Sequence, residues 1–283
     1  MTLRNLRFAA ALGALGALLA GGLVPGATVA RAQSQVLPRA QSQVLPPAPP
    51  APPAPPAPLP PIETDRPDFV ESSVVVPRGF WQLESGLQLS RTSGRTSLSG
   101  TESLLRIGFA RTLEWRVGLP SLEGGDGQGT DRSDAYIGVK WQLGPVGAWD
   151  VSLIPGISVP IGTGALTSGA WDPELKLTVA RDLVAGFDFC GMLAASWPTD
   201  NGARSAALQP ALSVGHQIAP TVRLFVEWVG AFARDRESGQ LAHGGVAWQP
   251  TPHLQLDLHA GRRIAGDFPE SFVALGLSFR RGP

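Results

Sequence analysis

The chain has 283 residues, 23 Lys+Arg against 23 Asp+Glu, and a sequence pI near 6.9. That balance argues against a nucleic-acid partner, whose phosphates call for a basic surface. Charged residues make up only 16% of the chain, against roughly 25% in soluble domains, and the lone Cys190 rules out an intramolecular disulfide and a Cys-based metal site.

Residues 1–32 read as an export signal. Arg4 and Arg7 form the charged start, Phe8 to Val24 the apolar stretch, and Ala30-Arg31-Ala32 the cleavage site, leaving Gln33 first. A retained membrane anchor is the alternative, but Gly residues and Pro25 break the apolar run. After Val24 there is no apolar run of about 18 residues, so no transmembrane helix is expected. Residues 33–62 form a linker: QSQVLP occurs at 33–38 and again at 41–46, and Pro46 to Pro61 is almost pure Ala/Pro. Such a run adopts polyproline II at ~3.1 Å per residue, spans roughly 50 Å and packs no core. A stiff spacer is favoured over a ligand for a partner that reads Pro-rich segments.

Residues 63–78 form a short N-terminal segment. Within it Thr64-Asp65-Arg66-Pro67-Asp68-Phe69 sets two acids around an arginine in a Pro-stiffened stretch with no strand pattern of its own. From 79 to 283 the alternation of period two dominates. It is clearest in Thr101 to Pro120, where Leu105, Ile107 and Phe109, then Leu113, Trp115, Val117 and Leu119, share one face. Glu102, Arg106, Glu114 and Arg116 share the other. Period two means strands, and the short break between the runs means a hairpin.

Twelve strand candidates follow: 79–91, 101–110, 113–120, 133–143, 149–160, 171–180, 186–197, 205–216, 222–232, 240–249, 254–261 and 271–280. Most approach the ~9–11 residues of a tilted membrane-spanning strand. The gaps alternate. Those at 92–100, 121–132, 161–170, 198–204, 233–239 and 262–270 are longer, polar and Gly-rich; those at 111–112, 144–148, 181–185, 217–221 and 250–253 are short. Long outer loops and tight periplasmic turns are how outer-membrane barrels connect. The expected fold is therefore all-β: a transmembrane antiparallel up-and-down barrel of about twelve strands, in the outer membrane of a Gram-negative cell, both termini periplasmic.

Every charge in the strand cores falls opposite the apolar face. Lumen or pore candidates are Glu84, Glu102, Arg106, Glu114, Arg116, Lys140, Glu174, Lys176 and Glu227, with Asp65, Arg66 and Asp68 from the N-terminal segment. Asp134, Asp188, Arg223 and Asp257 share that phase. A charge facing lipid near the midplane costs ~2–4 kcal/mol, so Leu105→Arg or Val117→Arg is expected to block assembly, whereas Arg106→Leu is expected to be tolerated for insertion, as a change to the lumen alone. All eight tryptophans lie on the apolar face near strand ends: Trp81, Trp115, Trp141, Trp149 and Trp248 by the short turns, Trp171, Trp197 and Trp228 toward the long loops. Two aromatic belts are the expected membrane-interface girdles. Pro155 and Pro210 lie within strands and point to bulges. The last strand, ending Val273, Leu275, Leu277 and Phe279, resembles the signal read by the barrel-assembly machinery, although Arg280 to Pro283 extend past the aromatic.

The segment at 64–69 has the charges to enter the barrel mouth and plug it. The expectation is that lumen carboxylates bind Arg66, and lumen Arg or Lys bind Asp65 or Asp68. A solvated tether is the alternative.

The set TDRPDF, ESLLRIG…LEWRVGLP, Gly138-Val139-Lys140-Trp141-Gln142-Leu143 and Pro160-Ile161-Gly162-Thr163-Gly164 resembles the outer-membrane transporters assigned to the MetA pathway of phenol degradation. The resemblance runs from about Thr64 to Phe279. It implies an outer-membrane barrel passing small, often aromatic compounds. The Ala/Pro linker is not implied by it.

The expected function is an outer-membrane channel or transporter for small aromatic or hydrophobic molecules, with outer-membrane lipid and solute as partners. No cofactor, no metal and no catalytic residue is expected. Alternatives are a lipase-like outer-membrane enzyme and a soluble periplasmic β-protein. An enzyme needs a nucleophile with a base in reach; His243 and His259 face the lumen by phase, His253 lies in a turn, His216 faces lipid, and no Ser sits in a G-x-S-x-G setting.

Overall fold

Strands with one apolar and one charged face can put the charges outside, as a sandwich, or inside, as a barrel in lipid. The computed structural model describes residues 60–101, 103–125, 129–234 and 237–283, and takes the second course. The export signal, Glu102 and nearly all of the linker lie outside the described residues.

The strands are β1 (Trp81–Thr92), β2 (Arg95–Gly100 continuing as Ser103–Gly108), β3 (Leu113–Leu119 continuing as Leu122–Gly124) and β4 (Asp131–Arg132 continuing as Ala135–Val146). Then come β5 (Trp149–Val159), β6 (Asp172–Asp182), β7 (Phe187–Ser196), β8 (Ala207–Ala219), β9 (Val222–Ala233), β10 (Gly239–Thr251), β11 (Leu254–Ala265) and β12 (Ser271–Arg281). Each pairs antiparallel with its sequence neighbour, and β12 pairs with β1 from Trp81↔Arg281 to Arg91↔Ser271. Among the described residues this is a closed 12-strand barrel. Closure leaves no strand edge with unpaired backbone groups, which a membrane would not tolerate.

The burial is inverted relative to a soluble protein. Arg106, Glu114 and Lys140 are 0% exposed, while Leu275 is 55% and Val226 65% exposed. Along β12, Phe272, Ala274, Gly276, Ser278 and Arg280 are buried inside, and Val273, Leu275 and Leu277 face out. An apolar outer band is stable only against hydrocarbon. Leu105 and Val117 are paired across β2 and β3 in that outer set. Leu105→Arg or Val117→Arg is expected to cost ~2–4 kcal/mol in place and to abolish the folded band on unheated gels; normal assembly of both variants would reverse the face assignment.

The wall departs from the sequence reading in two places. Residues 92–100 are not a loop: Ser93 and Gly94 (φ 50 and φ 78) make a two-residue turn, and Arg95–Gly100 pairs back on β1. This turn needs φ > 0 at both central positions. The strand was hidden because RTSLSG carries no run of apolar alternation to mark it. The same holds for Leu122–Gly124, paired with Leu98–Gly100.

The prolines do not make bulges. Around Pro155 the register is unchanged from Gly138↔Gly156 to Trp141↔Leu153, and around Pro210 from Leu208↔Phe232 to Ala211↔Val229; pairing only lapses between. Loss of one donor removes ladder bonds but inserts no residue, and a bulge requires an insertion. Register shifts fall instead at Gln142/Gly144, Gln217/Ala219, Gln240/Leu241 and Trp248/Thr251, all near strand ends.

Candidate functional site: a segment inside the lumen

On neighbouring strands β2 and β3, Arg106 stands directly opposite Arg116, and on β4 Lys140 stands opposite Glu114. Like charges directly opposed destabilise a ladder, so this wall needs anions. Glu114 supplies one, accepting from Arg106 Nε at 2.8 Å and Arg116 Nη1 at 2.9 Å. Glu84 on β1 accepts from Arg106 Nη1 at 2.9 Å. The third comes from outside the wall. Asp65 accepts from Arg116 Nη1 at 2.6 Å and from Lys140 Nζ at 2.9 Å. Glu71 continues the chain of charges, 2.7 Å from both Arg116 Nη2 and Lys176 Nζ.

Asp65 and Glu71 belong to residues 60–80, which run inside the barrel before entering β1 at Trp81. This stretch has no strand ladder, yet Ile62, Val70 and Val76 are at most 3% exposed. Buried backbone groups must find partners, and wall side chains provide them. Glu84 accepts from the backbone N–H of Asp65 and Arg66 at 2.9 and 3.1 Å. Glu227 accepts from Phe69 and Val70 at 2.8 and 2.7 Å, and Glu114 from Val76 at 2.7 Å. Carbonyls of Glu63, Ser72 and Val74 accept from Arg106, Lys140 and Arg106 in turn. Arg280 donates to the carbonyl of Pro60 and of Pro252 in the β10–β11 turn, so the segment enters at the short-turn end.

On the other side of β1, Arg66 approaches Asp257 of β11 at 3.4 Å. Its guanidinium lies over the paired Gly86 and Gly276, where any Cβ would overlap it. Asp68 accepts from Ser213 Oγ at 2.8 Å and lies 3.7 Å from Arg223. Burial would raise the Asp65 carboxyl, but Arg106, Lys140 and Arg116 hold it well below the usual carboxylate range. Burial, with Glu227 beside it, pushes the Asp68 carboxyl up to about 7 against the pull of Arg223.

The lumen is uneven in chemistry: Arg223, Glu227 and Asp257 stand on β9 and β11, but among the described residues apolar side chains gather only on that side. Over β1–β4 it is ionic. Over β7–β12 it holds Met192, Ala194, Ala211, Val229, Leu241, Phe272 and Ala274. Phe69 from the segment and Phe268 from the β11–β12 loop both pack on this apolar side. A cavity of about 440 Å³ remains, bounded by Asp68, Phe69 and Glu71 of the segment and by Arg116, Leu119 and Ser133 of the wall.

Of the residues proposed from sequence, Asp65, Arg66, Asp68, Glu84, Arg106, Glu114, Arg116, Lys140, Lys176 and Glu227 come together around the segment. Glu174 is in the lumen but pairs with Lys176 at 2.9 Å and not with the segment. Glu102 lies outside the described residues. Sequence reasoning missed Glu71 within the segment, and Gln82, Gln249, Gln255 and Ser213 as its wall partners. The signal was present: four of the five are neutral and on lumen parity, but only charges were counted. The apolar side of the lumen was missed too, although Leu224-Phe225-Val226 is apolar on both parities. Among the tryptophans, Trp115, Trp141, Trp171 and Trp248 are 47–54% exposed on the outer wall. Trp81 meets Phe279 edge-on at 5.0 Å, Trp149 lies under Arg181 at 5.6 Å, and Trp228 donates to Gln240 at 3.3 Å. Trp197 is 38% exposed where β7 ends.

The profile of the family described as "Putative MetA-pathway of phenol degradation" matches residues 64–280. The chain belongs to this family. The match to the MetA-pathway family begins at Thr64, so it takes in the lumen segment as well as the barrel. The crystal structure of the COG4313 outer membrane channel from Pseudomonas putida F1 superposes with a TM-score of 0.60 at 14% identity, covering 73% of this chain and 97% of that one. The NanC porin superposes with a TM-score of 0.50 at 10% identity, covering 70% and 98%. At these identities the likeness is one of fold. No curated protein matches the chain in sequence.

Proposed function

We propose that this MetA-pathway family member is an outer-membrane channel for small molecules, aromatic or hydrophobic ones among them. Residues 60–76 form a constriction in its periplasmic half. One observation carries the reading: the cations of the wall are completed by Asp65 and Glu71, which belong to a segment outside the wall. A lumen whose charges are met by a separable segment can be opened without breaking the barrel. The family's description and the channel and porin folds support the solute class and the location. They favour transport over catalysis, as does the histidine chemistry, since His243 faces Glu227 and not a hydroxyl nucleophile.

The tryptophans at strand ends act as interface girdles on this reading, and the terminal strand to Phe279 as the mark for the assembly machinery. The test is planar-bilayer recording with and without toluene or phenol. Small, discrete conductance steps altered by the aromatic solute are expected. A protein that never conducts, with or without solute and with or without its N-terminal segment, is not a channel.

A further inference from the structure

Phe69 is the residue whose environment the channel reading leaves unexplained. Its ring meets His243 edge-on at 5.1 Å. Around that imidazole stand Phe225 at 5.4 Å, His259 at 5.6 Å and Phe272 at 5.8 Å. Phe69 also packs against the apolar groups at Val70, Met192 and Val229 and at Leu241 and Phe272, with Phe268 beside it. This is a cup for a flat ring, because aromatic rings gain from edge-on contacts beyond the area they bury. The ring that fills it is not part of the wall. Its backbone is tied to the barrel by hydrogen bonds from Phe69 and Val70 to the single carboxylate of Glu227.

The cup has polar groups that Phe69 cannot serve. His259 is 6% exposed, and neither of its ring nitrogens has a hydrogen-bond partner. Nδ1 of His243 is likewise without one. A buried donor or acceptor left unpaired costs ~1–3 kcal/mol, and a hydrocarbon ring leaves that cost standing.

We propose that Phe69 is a tethered stand-in for solute. It occupies a lumen site built for a single aromatic ring bearing a hydrogen-bonding substituent, and such a solute enters by displacing it. The inference rests on the channel reading and deepens it by assigning the solute site. Displacement gives the solute the ring's contacts and gives His259 a partner. It also loosens the segment at its tip, where Glu227 holds it, so occupancy and opening are coupled.

The test uses the full chain in lipid nanodiscs, titrated calorimetrically with p-cresol, toluene and cyclohexanol. With no ring to displace, Phe69→Ala is expected to bind p-cresol about tenfold more tightly than wild type. Phe69→Leu, which keeps part of the packing volume, is expected to fall between them and serves if the alanine variant does not fold. In Phe69→Ala, cyclohexanol is expected to bind more weakly than p-cresol. His259→Phe is expected to erase the preference for p-cresol over toluene. Unchanged p-cresol affinity in both Phe69 variants overturns the proposal, as does cyclohexanol binding as tightly as p-cresol. Binding is read without ion flow, so these results stand apart from conductance: a conducting barrel with unchanged affinity overturns the site alone.

Discussion

Deleting Gln33 to Phe69 is expected to raise single-channel conductance several-fold and to lower the temperature at which the folded band is lost on gels. The deletion removes Asp65, which answers Arg116 and Lys140, and Asp68, which answers Arg223. It also takes away three of the four backbone N–H groups that the carboxylates of Glu84 and Glu227 hold, those of Asp65, Arg66 and Phe69, and leaves only that of Val70. In a dry interior an orphaned charge of this kind costs about 3–5 kcal/mol. Here water enters the emptied lumen and solvates Arg106, Arg116 and Lys140, so the loss is expected to be smaller, about 1–3 kcal/mol. The two readouts must move together. If conductance and heat stability both match the intact chain, residues 60–69 are a tether and the constriction lies elsewhere.

Arg106→Leu is expected to destabilise the barrel by about 3–5 kcal/mol, the largest single effect in the wall. From sequence parity alone Arg106 is a lumen residue, and its replacement is expected to leave insertion intact. The structure shows what it costs the folded barrel. Arg106 is 0% exposed and donates to Glu84, to both oxygens of Glu114 and to the carbonyls of Glu63 and Val74. Leucine leaves two buried carboxylates short of a cation and two carbonyls short of a donor. Arg106→Lys keeps the charge but loses the planar fork that reaches several acceptors at once, and is expected to fall between wild type and leucine. The measurement is the urea midpoint for loss of the folded band. The variant still inserts, because its outer face is unchanged. Equal midpoints for all three proteins would mean that the ionic side of the lumen is hydrated and contributes no stability.

The wall of this barrel was legible in the sequence because lipid imposes a simple rule on it. Leu105, Val117, Leu275 and their like must face hydrocarbon, and Arg106, Glu114 and Lys140 must not, so a period of two with segregated charge is forced on each spanning strand. Where the rule lapses, so did the reading. Arg95–Gly100 carries no apolar alternation and looked like a loop, and Pro155 and Pro210 interrupt pairing without shifting it. What the lumen holds was decided only in three dimensions. TDRPDF carries the right charges for entry, but nothing local says that Asp65 meets Arg116 and Lys140 while Arg66 crosses to Asp257 over the Gly86/Gly276 pair. Those partners are separated by up to 191 residues in sequence. The choice among them depends on the depth and facing of each strand in the closed wall. The apolar cup around Phe69 lies beyond the rule for the same reason: lumen side chains answer to one another and not to a common solvent, so no periodicity marks Phe225, His243, His259 and Phe272 as neighbours.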